Sequence, residues 1–438
     1  MVTIAEMPKY KAYKDSGFKW IGEIPLDWEI SKLGACLSSV SFKNYPGLPL
    51  LSITREQGVI ERNIEDQESN HNFIPDDLSG YKLIKKGQFG MNKMKAWQGS
   101  YGVSKYTGIV SPAYYIFDFA KEINPDFFNW AIRSKLYVSY FGSASDGVRI
   151  GQWDLSKTRM KGIPFILPDE RQQGLIAKYL DIKTAQIDEA IAIKQQQISL
   201  LKERKQIIIQ QAVTQGLDPN VPMKNSDVDW IGMIPEHWEV LANRTLFTER
   251  VESGREGLPL LSVSIHSGVS SEEVSEKDNV RGRVKIEDKT KYVLVKKGDV
   301  AFNMMRAWQG GIGAVTTEGM VSPAYIVAKP IGAIVADFFE YQYRCPKFIQ
   351  QMDRYSKGIT DFRKRLYWDG FKQLKTVVPP EKEQEKIIQF IQDLATKTEA
   401  ADKLLNAQIE KLKEYKTTLI NSAVTGKIKI TPEMIGYV

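Results

Sequence analysis

The chain has 438 residues, 42% of them hydrophobic and 26% charged, which is typical of a soluble globular protein and too long for one compact core. Its net charge of +7 allows a polyanionic partner without establishing one. The composition excludes a disordered or fibrous protein. No apolar run approaches the roughly 18 to 20 residues of a membrane helix, and the N-terminal segment lacks the apolar region of a signal peptide, so we expect a cytoplasmic protein.

An internal repeat organises the sequence. The phrase WIGEIPLDWE begins at Trp20 and returns with three substitutions as WIGMIPEHWE at Trp230. LPLLSI and LPLLSV, two copies of KKG, two of AWQG and two of VSPAY follow at a nearly constant offset of 210 or 211 residues. An offset this far above the 20 to 50 residues of solenoid repeats indicates tandem duplication of a whole domain.

The repeat divides the chain into successive parts. We predict an N-terminal segment (1–29), a first globular domain (30–167), a long helix (168–216), a connector that repeats the N-terminal segment (217–239), a second globular domain (240–379), a second long helix (380–426) and a tail (427–438). Because the second copy of the phrase follows the first helix directly, the first copy should pack against the end of the second helix. The two termini would then be neighbours.

In the first domain, residues 81–106 hold six lysines and no acidic residue. Alternating apolar residues around KKG predict a β-hairpin, YKLI turning into FGMN, followed by a glycine-rich loop. That loop carries Lys93, Lys95 and Gln98, side chains that suit a polyanion, and Trp97, which we predict to be a core anchor. A second basic stretch, 133–161, adds Arg149.

NPDF, which begins at Asn124, is similar to the NPPF motif of adenine methyltransferases. It departs from that motif at its third position, and the other half of the chain has VADF instead. We interpret it as a helix start, with Asn124 as N-cap and Pro125 at the first helical position.

The first long helix has an apolar seam that alternates spacings of three and four, the pattern of a coiled coil. Its apolar members are Leu180, Ile187, Ile191, Ile198, Leu201, Ile208 and Ala212. At 1.5 Å per residue it would span roughly 60 Å and would not be stable alone.

The second domain repeats these features with different side chains. Its basic loop carries Asn303, Arg306 and Gln309, and its second basic stretch, 354–375, carries Arg363 and Arg365. We predict that Trp308, like Trp97, is a core anchor.

The second long helix has a weaker seam of the same kind. The simplest arrangement is that the two helices pair with each other, antiparallel, about a half-turn that relates the two halves. The predicted fold class is therefore α/β (α+β), with two similar globular domains separated by a pair of long antiparallel helices, a coiled coil, in a pseudo-twofold arrangement.

Basic stretches at equivalent places in both halves favour a DNA surface. Cations displace counterions from phosphates, while forked and amide side chains can read base edges. The predicted DNA contacts are Lys93, Lys95, Gln98, Arg149, Asn303, Arg306, Gln309, Arg363 and Arg365. A shared frame with divergent loops, such as 58–73 against 267–286, suggests two modules that read different sequences.

Motifs for catalysis, cofactors and metals are absent from the sequence. There is no GxxxxGK[ST] loop, no strand followed by a GxG that would hold S-adenosylmethionine, and no CxxC. His71, His237 and His266 have no matching partners in the repeat, which argues against a catalytic triad. We expect no enzyme, no cofactor and no metal in this chain, and expect Cys36 and Cys345 to be buried thiols.

Three features together resemble the specificity subunit of type I restriction-modification systems. They are WIGxIPxxWE at the head of each unit, KKG, AWQG and VSPAY within it, and a long helix that ends in AVTQG or AVTG. The resemblance covers nearly the whole chain and occurs twice.

The resemblance implies a non-catalytic DNA-reading subunit with two target-recognition domains. The first domain would read the 5′ half of a split target and the second the 3′ half, with the helices as spacer and dock. Implied partners are double-stranded DNA, two modification subunits that methylate adenine, and restriction subunits that translocate and cut. Those partner subunits would use S-adenosylmethionine, ATP and Mg²⁺.

Two alternatives stay open at this point. The chain could be a DNA methyltransferase, which turnover of S-adenosylmethionine by the purified chain would reveal. It could also be a coiled-coil scaffold that binds only proteins, which binding assays on random duplexes with and without a modification subunit would separate from a DNA reader.

Overall fold

A computed structural model describes residues 3–63, 74–147, 153–228, 230–265, 267–271, 288–358 and 364–436. It is a mixed helix and strand structure with two long helices, which confirms the predicted fold class. The chain divides into two compact units, Met1–Lys194 with Asn406–Val438, and Gln195–Leu405. Each unit therefore contains one globular part and half of each long helix.

The first unit alternates short strands with helices. Its strands are β1 (Tyr13–Asp15), β2 (Glu23–Pro25), β3 (Glu29–Lys32), β4 (Leu37–Val40), β5 (Leu51–Thr54), β6 (Gly58–Glu61), β7 (Lys82–Ile84), β8 (Phe89–Asn92), β9 (Tyr101–Val103), β10 (Gly108–Val110), β11 (Tyr114–Phe119) and β12 (Pro164–Leu167). Its helices are α1 (Leu33–Cys36), α2 (Pro125–Ile132), α3 (Lys135–Ala144), α4 (Lys157–Gly162) and the start of the long helix α5 (Glu170–Gln215).

A four-stranded antiparallel sheet, in the order β4-β11-β8-β9, lies at the centre of this globular part. Alternate residues point to opposite faces. Phe89 and Phe117 join the large core that includes α2 and α3, while Ile116 joins a smaller core with β5, β6 and Ile84. The sheet therefore has apolar cover on both faces.

The predicted β7–β8 hairpin is wrong. β7 pairs with β10, Leu83 opposite Ile109, whereas β8 pairs with β9 and β11. The KKG turn is present, with Gly87 at φ 88°, but it passes the chain from one sheet to another. Leu83 and Ile84 are buried, so the alternation that suggested a hairpin reflects cores in two different layers.

The second unit repeats the order of elements. Its strands are β13 (Met223–Asn225), β14 (Met233–Pro235), β15 (Glu239–Ala242), β16 (Phe247–Glu249), β17 (Leu261–Ser264), β18 (Gly268–Ser271), β19 (Val293–Val295), β20 (Val300–Asn303), β21 (Ile312–Ala314), β22 (Gly319–Val321), β23 (Tyr325–Pro330) and β24 (Lys375–Val378). Its helices are α6 (Asn243–Leu246), α7 (Ala336–Tyr343), α8 (Pro346–Tyr355), α9 (Trp368–Phe371) and the first half of α10 (Glu381–Val424). The central sheet has the equivalent order β16-β23-β20-β21.

The long helices run antiparallel within each unit. In the first unit Asp188 of α5 pairs with Lys416 of α10 at 2.7 Å, and Lys194 donates to Gln408 at 2.6 Å. Residue numbers rise along α5 as they fall along α10. In the second unit Lys202 of α5 pairs with Asp402 of α10 at 3.7 Å, and Ile209 of α5 shares a core with Ile391 of α10, so within this unit too the residue numbers rise along α5 as they fall along α10.

The predicted seam on α5 shifts along the helix. Leu180, Ile187 and Ala212 are buried as predicted, but Ile209 is buried in place of Ile208, which is half-buried. An α-helix drifts by about 20° per heptad against a strict seven-residue repeat. After four heptads the drift approaches the angle between neighbouring residues, which moves the buried position by one.

The repeated phrase packs where the sequence predicted. Trp28 belongs to the same core as Ala423 and Val424 at the end of α10, and Trp238 shares a core with Ala212 and Val213 at the end of α5. The N–H of Lys429 donates to the carbonyl of Pro8 at 2.7 Å. The N-terminal segment and the C-terminal tail are therefore neighbours.

Asn124 caps α2 as predicted. Its Oδ1 accepts hydrogen bonds from the N–H groups of Asp126 and Phe127 at 3.0 Å, and Pro125 is the first helical residue. The NPDF motif is thus a helix start in this fold.

Candidate nucleic-acid interface

The basic loop of the first unit is a short 3-10 turn, Lys93–Gln98, that follows strand β8. The Asn92 side chain caps it by accepting from the N–H of Met94 at 3.2 Å, and Gly99 ends it at φ 91°. Lys95 is exposed and Gln98 is half-buried. Lys93 forms an ion pair with Asp154 at 3.2 Å, which raises the pKa of Lys93.

The equivalent turn of the second unit is built in the same way. The Asn303 side chain accepts from the N–H of Met305 at 3.0 Å, so its oxygen holds the turn. Arg306 is exposed, and its Nη1 donates to Oε1 of Gln309 at 2.8 Å. The turn ends at Gly310, again at φ 91°. This bond uses the oxygen of Gln309 and leaves its amide NH₂ as a donor beside the Arg306 guanidinium.

A second loop is anchored to each turn by the backbone. The N–H of Leu155 donates to the carbonyl of Lys93 at 3.1 Å, and the N–H of Leu366 donates to the carbonyl of Met304 at 2.8 Å. These bonds join the basic turn to the end of the loop that follows α3 or α8. The structure thus brings together two segments that lie some sixty residues apart in sequence.

The base of each second loop is closed by an isolated β-bridge. Asp146 pairs with Asp154 in the first unit, and Lys357 pairs with Arg365 in the second. The Nη1 of Arg365 also donates to the carbonyl of Lys364 at 2.9 Å. The predicted contacts Arg149 and Arg363 lie outside the described residues.

Two arginines in or near the basic stretches support the fold. Arg133 donates to the carbonyls of Tyr101 and Glu56, and its equivalent, Arg344, pairs with Glu340 at 2.8 Å and donates to the carbonyl of Ile265 at 3.1 Å. Arg133 was counted in the basic stretch 133–161. The sequence count therefore overstates the charge available to a polyanion.

Trp97 and Trp308 are not core anchors, which corrects the prediction. Both are half-buried and neither belongs to a hydrophobic core of the described chain. Trp97 lies against Trp153, with ring centroids 5.2 Å apart, and the ammonium of Lys364 lies 5.2 Å from the ring of Trp308. The core residue of the AWQG motif is its alanine, Ala96 or Ala307, at 0% exposure in both copies.

Four lysines meet at the start of strand β11 in the first unit. Lys82 donates to the carbonyl of Tyr114 at 2.7 Å, and Lys157 lies over the Tyr115 ring at 4.7 Å and donates to Ser39 at 2.9 Å. Lys43 pairs with Lys82 through a β-bridge. The fourth is Lys93. Burial, followed by the charges of Lys157, Lys43 and Lys93, lowers the pKa of Lys82.

The predicted contacts include only one of these four, Lys93. Lys43 and Lys157 are separated in sequence from residues 81–106 and come close only through the sheet. No local signal in the sequence distinguishes them, because Lys43 lies in a segment with no charge run and Lys157 is one of six basic residues in the stretch 133–161.

Two proteins with similar sequences are named as specificity subunits of type I restriction enzymes. A relative in Methanocaldococcus jannaschii, named provisionally as the specificity subunit of the type I restriction enzyme MjaX, is 23% identical over 95% of this chain and 98% of its own length. The specificity subunit of the type I restriction enzyme EcoBI from Escherichia coli is 24% identical over 70% of this chain and 66% of its own length. The chain resembles type I restriction specificity subunits. No family model matches it.

Solved structures from type I systems have a fold similar to that of this chain. The HsdS subunit from Thermoanaerobacter tengcongensis aligns with a TM-score of 0.55 and 12% identity over 94% of this chain and all of that one. A chain from a structural study of complex assembly and conformational transition in a type I R-M system aligns with a TM-score of 0.62 and 11% identity over 92% of this chain and 98% of that chain.

The names of the relatives describe specificity subunits, in agreement with the prediction that this chain is not an enzyme. His237 has a structural role, because its Nε2 lies 2.7 Å from Oε1 of Glu383, whose other oxygen accepts from the indole of Trp238 at 2.8 Å. Within the described ranges, no group of three or more His, Cys, Asp or Glu is placed to hold a metal ion. Likewise, no described helix has the length and apolarity of a membrane span. Both cysteines are buried and free, as predicted.

Proposed function

We propose that this chain is the DNA-specificity subunit of a type I restriction-modification complex, in which each globular part reads one half of a split target. The domain at 30–167 would read the 5′ half and the domain at 240–379 the 3′ half. The long helices would fix the distance between the halves. The chain itself is non-catalytic, and the modification and restriction subunits would supply the chemistry with S-adenosylmethionine, ATP and Mg²⁺.

One observation carries this proposal. The same capped turn occurs in both units and is bonded through its backbone to the end of a second loop. The turns differ at Lys95 and Arg306, and the second loops differ in sequence. Backbone bonds preserve the frame whatever the side chains are, so the exposed residues are free to diverge. A fixed frame with variable polar and cationic side chains is what reading two different base sequences requires.

The side chains suited to base edges are Gln98 in the first unit, and Arg306 and Gln309 in the second. Arg306 and Gln309 are already joined by a hydrogen bond, which orients the guanidinium before a duplex arrives. Arginine binds guanine through two parallel hydrogen bonds, and glutamine can bind adenine in the same way. Lys95, exposed on its turn, suits a phosphate.

Methylation mapping tests the proposal directly. The chain would be expressed with its modification subunits in a host without other adenine methylation, and the methylated adenines would be sequenced. We expect a split motif with a fixed gap. Gln98→Ala should relax only the first half and Arg306→Ala only the second. A continuous motif, or equal loss in both halves for either variant, would contradict the assignment.

The long helices also offer a surface for the partner subunits. In the second unit Leu200 and Ile207 are 55% and 51% exposed, and Leu404 of α10 is 60% exposed. Leu200 and Ile207 are seven residues apart and so lie on one face of α5. Exposed leucine and isoleucine side chains on a helix suit the apolar centre of a protein interface.

Assembly of the complex tests this surface. Leu200→Glu with Ile207→Glu should release the modification subunits, as measured by light scattering after gel filtration. The matched control is Ser199→Glu with Gln206→Glu, two exposed positions seven residues apart on the same helix, which adds the same charge without removing an apolar side chain. Assembly that survives in the first variant would place the dock elsewhere.

A further inference from the structure

The lysines at the start of β11 form a cluster in which two side chains are held by specific contacts. Lys82 is held by the Tyr114 carbonyl, and Lys157 by the Tyr115 ring and the Ser39 hydroxyl. Tyr114 lies opposite Asn92 in the sheet, next to Lys93. These contacts hold the ammonium groups of Lys82 and Lys157 at neighbouring residues of β11, and the charges of Lys157, Lys43 and Lys93 act on Lys82.

The cluster has little compensating negative charge. Among the described residues, the carboxylate that forms an ion pair with it is Asp154, which contacts Lys93. Like charges held close together repel, and the repulsion is relieved when an anion binds between them. The lowered pKa of Lys82, caused by burial and by its three lysine neighbours, is consistent with this unrelieved repulsion.

The second unit lacks this cluster at the equivalent positions. The β-bridge between Lys43 and Lys82 corresponds to one between Ser253 and Val293. Lys93 corresponds to Met304, since both carbonyls accept the N–H that anchors the second loop. At the matching register Lys157 becomes Trp368. The fold therefore does not need these lysines.

We propose that Lys43, Lys82, Lys93 and Lys157 form a phosphate-binding surface, present in the first unit only, for the sugar–phosphate backbone of a DNA duplex. This inference rests on the proposed function. A lysine ammonium is a compact point charge that suits phosphate, whereas base reading favours forked or amide side chains. The first unit would thus supply sequence-independent binding to the DNA backbone in addition to base recognition.

Salt dependence of DNA binding tests the inference. The chain, assembled with its modification subunits, would be titrated with a duplex that contains its methylated target over a range of salt concentrations. The slope of log affinity against log salt concentration is negative, and each lost phosphate contact reduces its magnitude by about 0.9. The variant Lys43→Gln/Lys82→Gln/Lys157→Gln should reduce the magnitude of the slope by about 2 to 3.

Two controls separate the site from general charge. Lys11→Gln/Lys14→Gln/Lys19→Gln removes three lysines from the same unit, outside the cluster, and should leave the slope unchanged. Lys82→Arg/Lys157→Arg keeps the charge and should also leave it unchanged. Thermal unfolding of each variant checks that the fold is intact.

The outcomes also distinguish this inference from the proposed function. If the wild-type complex shows no preference for a split target, the proposed function fails. If it shows that preference but the glutamine variant keeps the wild-type slope, only the phosphate surface fails. A methylated motif that changes in its first half would mean that the lysines read bases, which would also overturn the inference.

Discussion

The two globular parts share a backbone frame but place different polar groups inside it. In the second unit Arg250 and Asp299, which are 7% and 2% exposed, form a two-bond ion pair at 2.7 and 3.0 Å. At the position equivalent to Asp299 the first unit has Gln88, which donates to Asp118 at 2.7 Å. Both side chains accept the backbone N–H that closes the KKG turn, from Lys85 or Lys296.

The comparison teaches which parts of the frame are fixed. The turn requires an oxygen acceptor at this position, and either an amide or a carboxylate supplies one. The partner beyond it can change, provided that a buried charge receives an opposite charge. The loops above the frame vary further still, from a pair of aspartates at Asp146 and Asp154 to a pair of cations at Lys357 and Arg365.

The two units should differ most in the stability that each loses when the side chain at this position is removed, because in the second unit this breaks the buried Arg250–Asp299 ion pair. Asp299→Ala leaves the buried Arg250 with the half-exposed Glu252 as its remaining ion-pair partner, and should cost about 3 kcal/mol of unfolding free energy. Gln88→Ala removes a neutral acceptor and should cost about 1 to 3 kcal/mol. Urea denaturation followed by tryptophan fluorescence measures both.

A double variant checks the cause of that loss. Arg250→Met with Asp299→Gln removes both charges, keeps an oxygen acceptor for the Lys296 N–H, and should recover much of the stability lost in Asp299→Ala. A double variant as unstable as Asp299→Ala would show that lost packing, and not the broken Arg250–Asp299 ion pair, dominates. In that case the side chains at positions 88 and 299 would contribute to the stability of the two units in a more similar way than their hydrogen bonds suggest.

A smaller difference in stability between the units should come from the N-cap of the helix that follows the central sheet. Asn124 caps α2 with its side chain, whereas Val335, at the start of α7, makes no side-chain cap. Asn124→Ala should cost about 1 kcal/mol. Val335→Thr, nearly equal in shape, introduces a capping hydroxyl and should narrow the difference between the units.

Denaturation midpoints of the two variants measure this effect. The backbone around both caps is otherwise matched, because the N–H of Asn124 donates to Gln173 at 2.8 Å and that of Val335 to Gln384 at 2.9 Å. An unchanged midpoint for Asn124→Ala would mean that these glutamines alone hold the helix start.

The repeat made much of this architecture predictable from the sequence. The packing of Trp28 and Trp238 and the nearness of the two ends followed from the permuted order of the copies. The long helices followed from their heptad spacing, and the start of α2 from Asn124 and Pro125. Each of these features depends on local chemistry or on comparison of the two copies.

Features that depend on long-range pairing were not predictable in the same way. The prediction of a β7–β8 hairpin failed because an alternation of apolar residues indicates a strand but does not identify the strand with which it pairs. The prediction that Trp97 and Trp308 are core residues failed because a repeated tryptophan suggests a core position, whereas the adjacent alanine is the buried residue in the structure. Lys43 and Lys157 were missed because the sheet brings them to Lys82. Arg149 and Arg363 stay predictions.

The smallest difference concerns the charge at the base of the second loop. Asp154 is 46% exposed and pairs with the partly exposed Lys93, so the pair should contribute well under 1 kcal/mol to stability. Its effect on DNA should be clearer. Asp154→Asn frees the Lys93 ammonium for phosphate, which should steepen the salt slope of binding by about 0.9 without changing the methylated motif. Arg365→Asn, at the equivalent position of the second unit, should change the slope in the opposite direction. Equal shifts of the same sign would contradict the view that one backbone frame carries opposite charges for different tasks.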